Sequence, residues 1–230
     1  SLVIKNTIRH LNKVDLNIGV SQLVLTQLAV YNHYHPKQEF VLYNGVDRSK
    51  FFPFPSVKEE VFTIGCVSNF WKIKDHMTLI KSVESILKNG RNILLRLIGS
   101  GPTFKICKNY VFNNNLSNSI IFESEIEHEE LNEFYNKIDL FVSPSYYEAL
   151  GCVYLESWAT GTPFIAVEGQ GISELIPNDK TNDMLILKSD YELLSEKILF
   201  QMNHKSELEF NDDLDIRNTI SNFLSLNILE

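Results

Sequence analysis

Residues 139–167 read DLFVSPSYYEALGCVYLESWATGTPFIAV, and the order of apolar and polar runs within them decides the fold. The run 139–143 has the length of a buried strand, a polar loop follows, 150–160 carries a helical pattern, and 163–167 is a second buried strand. Two strands with a helix between them cannot pair as a hairpin. They need a right-handed crossover, which makes them parallel. The same rhythm extends outward on both sides. Upstream it predicts strand 15–20, helix 21–35, strands 39–43 and 61–68, helix 76–89, strand 92–98, helix 102–112, strand 119–122 and helix 128–137. Downstream it predicts a short helix 172–176, strand 184–187, helix 190–203 and a last helix near 213–226. The expected fold class is therefore α/β, a doubly wound, Rossmann-like parallel sheet covered on both faces.

With 230 residues, 44% of them hydrophobic, the chain has room for one domain or one and a half. Its 21 basic and 29 acidic residues leave a net charge of -8, which gives no global field for phosphodiester backbones, so no nucleic-acid partner is expected. Cys66, Cys107 and Cys152 form no C-x-x-C pair and no even framework; a reducing cytoplasm suits this usage. No stretch approaches the roughly 20 apolar residues of a membrane span, and the N-terminus lacks a signal-peptide core. Lys5, Arg9, His10 and Lys13 alternate with Leu2, Val3, Ile8 and Leu11, as in a basic amphipathic helix. Such a helix either rests on the inner membrane face or packs on its own domain. The short apolar stripe favours packing, so membrane contact is expected to be peripheral at most.

Tyr43-Asn44-Gly45-Val46-Asp47 is a turn signal, and the proline-rich Phe51-Phe52-Pro53-Phe54-Pro55-Ser56 fits neither helix nor strand. The division expected is a tail of a preceding domain at 1–47, a linker at 48–56, the main domain at 57–204 and a C-terminal helix at 205–230. The linker aromatics would be costly in water and should lie against a domain surface. Two upstream strands are too few to enclose a core, which suggests that earlier strands of that domain lie outside this chain. Ser1 fits excision from a longer protein or simple methionine removal.

Glu148 falls on the loop at the carboxyl edge of the sheet, where open α/β sheets bind ligands and helix N-termini offer free N–H groups. Glu156 falls about one and a half turns into the next helix. Its carboxylate suits a diol such as a ribose, with Glu148 nearer the reacting end; one capping and one solvated residue is the bland alternative. Lys74, after the first strand of the main domain, is placed to set an ammonium beside a diphosphate, or else is an ordinary surface lysine. His76 belongs to the first helical turn, where it packs or caps. Ile98-Gly99-Ser100-Gly101-Pro102 makes a tight strand-to-helix turn, but it is no Walker A motif and lacks the third glycine of a dinucleotide fingerprint. Glu168-Gly169-Gln170-Gly171 is a second tight loop, open to a ligand or to packing alone. Asp213-Leu214-Asp215 reads as a solvated helix start, and the acidic run Glu123 to Glu130, with His128 inside it, as a helix N-terminus. No metal site is expected.

In order and spacing these stretches resemble the C-terminal half of a GT-B fold glycosyltransferase of the large retaining family four, from about Asp15 to Phe200. Asn44-Gly45-Val46-Asp47 is similar to its interdomain signature, and Gly99-Ser100-Gly101-Pro102 to its Gly-x-Gly-Pro loop. Pro144-Ser145 through Glu148 and Glu156 is similar to its Pro-Ser-x-x-Glu and E-x7-E motif, followed by Ala159 to Pro163 and Gly171 to Glu174. The resemblance implies that Glu148 contacts the donor sugar and Glu156 the ribose. It further implies that the Leu150 and Gly151 amides face sugar or diphosphate, and that Lys74 is the phosphate lysine. Ile126 matches a position that reads the nucleobase edge through its backbone. At Asn69 the family usually has an arginine; asparagine can hydrogen-bond but cannot offset diphosphate charge.

The function expected is retaining hexosyl transfer from a nucleotide sugar to a glycan or lipid-linked acceptor, in cell-surface polysaccharide synthesis. The catalytic pair would be Glu148 and Lys74, with Glu156, Leu150, Gly151, Asn69 and Ile126 binding the donor and no metal or other cofactor. Acceptor contacts in this fold come mostly from the N-terminal domain, so a missing domain or a partner chain is implied. The alternatives are a non-catalytic nucleotide-sugar-binding or assembly module, which Asn69 favours, and a sugar-nucleotide epimerase of the same architecture.

Overall fold

A computed structural model describes residues 2–58, 60–204 and 208–226. The N-terminal segment holds α1 (Leu2–Leu11), β1 (Asn17–Gly19), α2 (Gln22–Ala29) and β2 (Glu39–Val41), with β1 and β2 paired in parallel. The remaining strands are β3 (Thr63–Val67), β4 (Leu94–Ile98), β5 (Ile120–Glu123), β6 (Leu140–Val142), β7 (Phe164–Val167) and β8 (Leu185–Ile186). They form one sheet in the order β5-β4-β3-β6-β7-β8, every neighbouring pair parallel. Between them run α3 (His76–Lys88), α4 (Phe104–Asn113), α5 (Leu131–Lys137), α6 (Cys152–Ala159) and the short α7 (Thr181–Met184); α8 (Tyr191–Asn203) and α9 (Ile216–Leu224) follow β8.

Strict alternation of side chains along the central strands builds two cores, one on each face. Leu140 and Val142 of β6, with Ile165 and Val167 of β7, face the core shared with Leu79 and Val83 of α3 and Leu194 and Ile198 of α8. Phe141, Phe164 and Ala166 face the opposite core, with Phe134 and Tyr135 of α5 and Leu155 and Trp158 of α6. Continuous apolar runs, rather than alternating ones, are what a sheet buried on both sides requires.

Several elements are shorter than their sequence pattern. α2 stops at Ala29 rather than 35: the β-branched and aromatic stretch from Val30 leads to Pro36, whose preceding residue disfavours helix. The expected helix 172–176 is a 3₁₀ turn over Gly171–Glu174, and β8 is preceded by a helical turn that takes Met184. The helix expected near 213–226 divides into a 3₁₀ turn, Asp212–Leu214, and α9, because Asp215 caps α9 by accepting from the Arg217 N–H at 2.9 Å. Asp215 is buried, not solvated, and the Arg217 guanidinium, 2.6 Å away, holds its carboxyl down at about 2. Residues 205–207 and 227–230 of the expected 205–230 segment, like Ser1, lie outside the described residues.

α1 buries Ile8 alone, leaving Leu2 and Val3 exposed, so the expected packing of this helix rests on one side chain. The segment after it joins the main sheet through polar contacts. The Glu174 carboxylate accepts from the Gln22 and Leu23 N–H groups at 2.8 and 2.7 Å, capping α2 from across the chain. Ser21 Oγ donates to the Ala149 carbonyl at 2.5 Å. Residues 51–56 run along α5: Phe51 is buried, and the Phe52 and Phe54 N–H groups donate to the side chains of Asn132 and Asn136. Val46 pairs with Asp215, which brings α9 back to this segment.

Candidate functional site

From β3 the chain winds one way through β4 and β5; from β6 it winds the other way through β7 and β8. The order reverses between β3 and β6, so the carboxyl ends of those two strands flank the topological switch point, where such sheets leave a crevice. The loop after β3 carries Asn69 and Lys74, and the loop after β6 carries Glu148, Leu150 and Gly151.

Lys74 ends a 3₁₀ turn, Lys72–Lys74, and Asp75 at φ 45° turns the chain into α3. The two loops are stitched by the Tyr146 N–H, which donates to the Ile73 carbonyl at 2.7 Å. This brings Lys74 Nζ to 2.5 Å from Glu148 Oε1, in a pair that is mostly shielded from solvent. A lysine ammonium has three N–H donors, so a pair with one carboxylate oxygen leaves capacity for ligand oxygens.

Leu150 and Gly151 lead directly into α6. Gly151 has φ 87°, and a Cβ there would meet the Tyr154 ring at 2.6 Å, so glycine is required by backbone and space together. α6 begins without a side-chain cap. The first N–H groups of a helix lack intrahelical partners, which is the general feature that lets a helix start receive an anion. Asn69 is exposed beside the Gly99–Gly101 turn. That turn is locked to the loop after β3: Phe70 N–H donates to the Ser100 carbonyl at 2.7 Å, and any Cβ on Gly99 would collide with the Ser68 carbonyl. Packing therefore accounts for Gly99.

Glu156 lies deeper, on the second turn of α6, and is buried. The Tyr135 hydroxyl, on α5, donates to its Oε2 at 2.9 Å, and His128 Nε2 stands 3.6 Å from its Oε1. Burial pushes the Glu156 carboxyl above its ordinary value, against the lowering effects of Tyr135 and His128. Burial and the Glu156 charge likewise push the Tyr135 hydroxyl well above its usual range, so it stays a donor. Ile126, two residues before His128, is half-buried against the core that holds Tyr135. The structure thus joins Lys74 to Glu148 and brings the loop of Ile126 beside Glu156. Among the described residues, no hydrogen bond or ion pair links these two groups, and α6 spans them.

His76 packs. It is buried, stacked on Phe70 at 3.8 Å between centroids, with Nε2 2.9 Å from Ser68 Oγ. Burial, with the Lys74 charge added, drives its imidazole down to about 4. Sequence reasoning did not single out Tyr135, and it weighed His128 only as part of an acidic run. Nothing local marks Tyr135, whose ring belongs to an ordinary apolar stripe. Among the described residues, no group of three or more His, Cys, Asp or Glu side chains is arranged to hold a metal ion.

An open parallel sheet whose order reverses between β3 and β6, with a charged pair at that switch point, defines a Rossmann-like domain. The sequence profile of the family described as glycosyl transferases group 1 matches residues 47–215, and the chain belongs to that family. An uncharacterized glycosyltransferase of Methanocaldococcus jannaschii is 30% identical over 213 residues, 89% of this chain and 56% of that protein. The capsular polysaccharide biosynthesis glycosyltransferase CapM of Staphylococcus aureus is 30% identical over 148 residues, 63% of this chain and 38% of its own length. The chain thus spans about half or less of the length of these relatives. The Anabaena protein HepE, solved in complex with UDP and glucose, superposes with a TM-score of 0.85 at 19% identity, covering 97% of this chain and 66% of HepE. The fold is accordingly that of GT-B glycosyltransferases, and the expectation of a C-terminal half agrees with it.

Proposed function

We propose that this chain is the donor-binding half of a retaining hexosyltransferase that uses a nucleotide sugar and acts on a glycan or lipid-linked acceptor. The observation that carries this reading is the Lys74–Glu148 pair at the switch point, beside the open N-terminus of α6. The Lys74 ammonium and the amides of Leu150 and Gly151 stabilise the charge that grows on the departing nucleoside diphosphate, and the reading needs no metal. Glu148 holds the sugar so that the acceptor attacks from the leaving-group face, and Glu156 accepts hydrogen bonds from the ribose. Ile126 meets the base edge through its backbone. The named complex of HepE with UDP and glucose supports a nucleotide-sugar donor, and the name of CapM supports a cell-surface polysaccharide pathway. The division into an N-terminal tail at 1–47, a linker and a donor domain at 57–204 belongs to this proposal, with acceptor contacts supplied by a further domain or chain. A cytoplasmic site, peripheral at the inner membrane face, fits the reading. Among the described residues no helix is long and apolar enough to cross a membrane.

The test is transfer by a complete enzyme carrying Glu148→Ala or Lys74→Ala. Each should lower the rate by about 10²–10³-fold, the scale of losing one preorganised electrostatic contact, with circular dichroism unchanged. Wild-type rates in both variants would dispose of the assignment. A second reading, a binding or assembly module without turnover, is favoured by Asn69 in place of a cation. It predicts no product from any acceptor and, for an assembly module, no binding of any nucleotide in calorimetry, whereas nucleoside diphosphate binding in the micromolar-to-millimolar range roughly typical of enzyme ligands supports a donor site.

A further inference from the structure

Glu156 offers a ligand only half of its carboxylate. Oε2 is taken by the Tyr135 hydroxyl at 2.9 Å, in a fully buried contact. Oε1 faces His128 Nε2 across 3.6 Å, too long for a direct hydrogen bond. One hydroxyl oxygen can sit within hydrogen-bond distance of both atoms, donating its proton to Oε1 and accepting from Nε2–H. The two side chains also differ in access: that of His128 is 52% exposed and that of Glu156 is 11% exposed, so the space between them opens on the imidazole side.

The imidazole is held in place by the linker and by its own turn. Phe51, from the linker, meets the His128 ring edge-on at 5.2 Å and 80°. The turn that carries His128 is closed by the Glu130 carboxylate, which accepts from the Glu127 N–H at 3.0 Å, and by the Glu130 N–H, which donates to the Glu127 carbonyl at 2.9 Å. Tyr135 in turn packs edge-on against Phe51 and Phe141, which fixes where its hydroxyl points. An acceptor oxygen and a ring donor, each held before any ligand arrives, lose little freedom on binding.

We infer that His128 is a second ligand-binding residue that forms, with Glu156, a clamp for one hydroxyl of a vicinal diol, and that Tyr135 is the positioning residue that aims the carboxylate. The inference rests on the donor-site reading, in which the diol is the ribose of a nucleoside diphosphate. It adds two residues to the site and assigns them recognition of ribose over sugars that lack the hydroxyls.

The test is isothermal titration calorimetry on the 230-residue chain with UDP, GDP and their 2′,3′-dideoxy analogues. The wild type should bind one ribonucleotide at least about tenfold more tightly than its dideoxy analogue, the scale of hydrogen bonds to a charged group. His128→Ala should reduce that ratio to below about threefold by weakening ribonucleotide binding alone, leaving dideoxynucleotide affinity where it was. Tyr135→Phe keeps the packed ring and should shrink the ratio in the same way. His128→Asn, which retains an N–H donor, should restore part of it. An unchanged ratio in His128→Ala, or equal losses for both nucleotides, overturns the clamp while leaving the donor site standing. A wild type that binds both nucleotides equally does the same. Binding of neither UDP nor GDP to the wild type overturns the clamp and the donor-site reading together.

Discussion

Glu148 and Glu156 stand eight residues apart in one motif, yet the structure gives them opposite surroundings. Glu148 sits on a loop, paired at 2.5 Å with Lys74 from the neighbouring strand's loop. Glu156 sits inside a helix, with a phenol on one oxygen and a half-exposed imidazole near the other. Each region also holds a histidine, used in opposite ways: His76 is buried and stacked behind Lys74, whereas His128 stands at the opening beside Glu156. The difference teaches that a motif sets which edge of the sheet its acids occupy, while the charge state and job of each acid come from what other elements place against it. One acid is paired with a cation. The other is kept in place by a neutral donor and bears the cost of burial.

The two regions should therefore respond to pH with opposite signs, and His76 gives the largest effect. Its folded value of about 4 lies below its ordinary 6.5, so the unfolded chain takes up the proton first. The stability this contributes is complete above pH 6.5 and is lost as pH falls toward 4. It amounts to roughly 3 kcal/mol over that window. His76→Phe keeps the stack on Phe70 and should abolish this slope in urea unfolding measured at several pH values. A slope that survives would mean that the Lys74 side does not depend on a neutral imidazole.

Glu156 sharpens the contrast. A carboxyl raised by burial is protonated more readily in the fold than in the unfolded chain, so its effect on stability is most favourable at low pH and declines as pH rises through its raised value. Glu156→Gln removes a buried charge, and unfolding at pH 7.5 should show a gain on the order of 1 kcal/mol. The same variant should lose about tenfold in affinity for a ribonucleoside diphosphate, because an amide cannot replace a charged acceptor. Lower stability at pH 7.5 would break the comparison, since the Glu156 charge would then add to stability instead of bearing the cost of burial.

The smallest effect is a control. Glu174 is a third carboxylate near the same edge, and both of its oxygens serve the backbone of α2. Glu174→Gln should cost about 1 kcal/mol, the scale of a helix cap, read as lower hydrogen-exchange protection across residues 22–29. Nucleotide affinity should not move. If it does, the polar seam between the N-terminal segment and the main domain belongs to the site.

Much of the fold was legible in the chain itself. Apolar runs separated by helical patterns specify crossovers, and crossovers specify parallel pairing, as β3 to β8 show. Errors fell where local propensity competes with tertiary contact: α2 ends early ahead of Pro36, and Asp215 is buried as a cap although it reads as a solvated acid. The positions of Lys74 and Glu148 at the sheet edge could be read from strand ends. Their pairing could not, because it depends on β3 lying next to β6, strands that are far apart in sequence.

By itself the sequence determined the periodicity, the handed winding and the family motifs, because these depend on residues a few places apart. Tertiary structure alone decided the partners: Tyr135 against Glu156, His128 at 3.6 Å from it, Phe51 behind both rings. The physical reason is range. Hydrophobic period acts through neighbours on one helix or strand, whereas a hydrogen bond between two helices needs their side chains within about 3 Å, a distance that only the packed core can set.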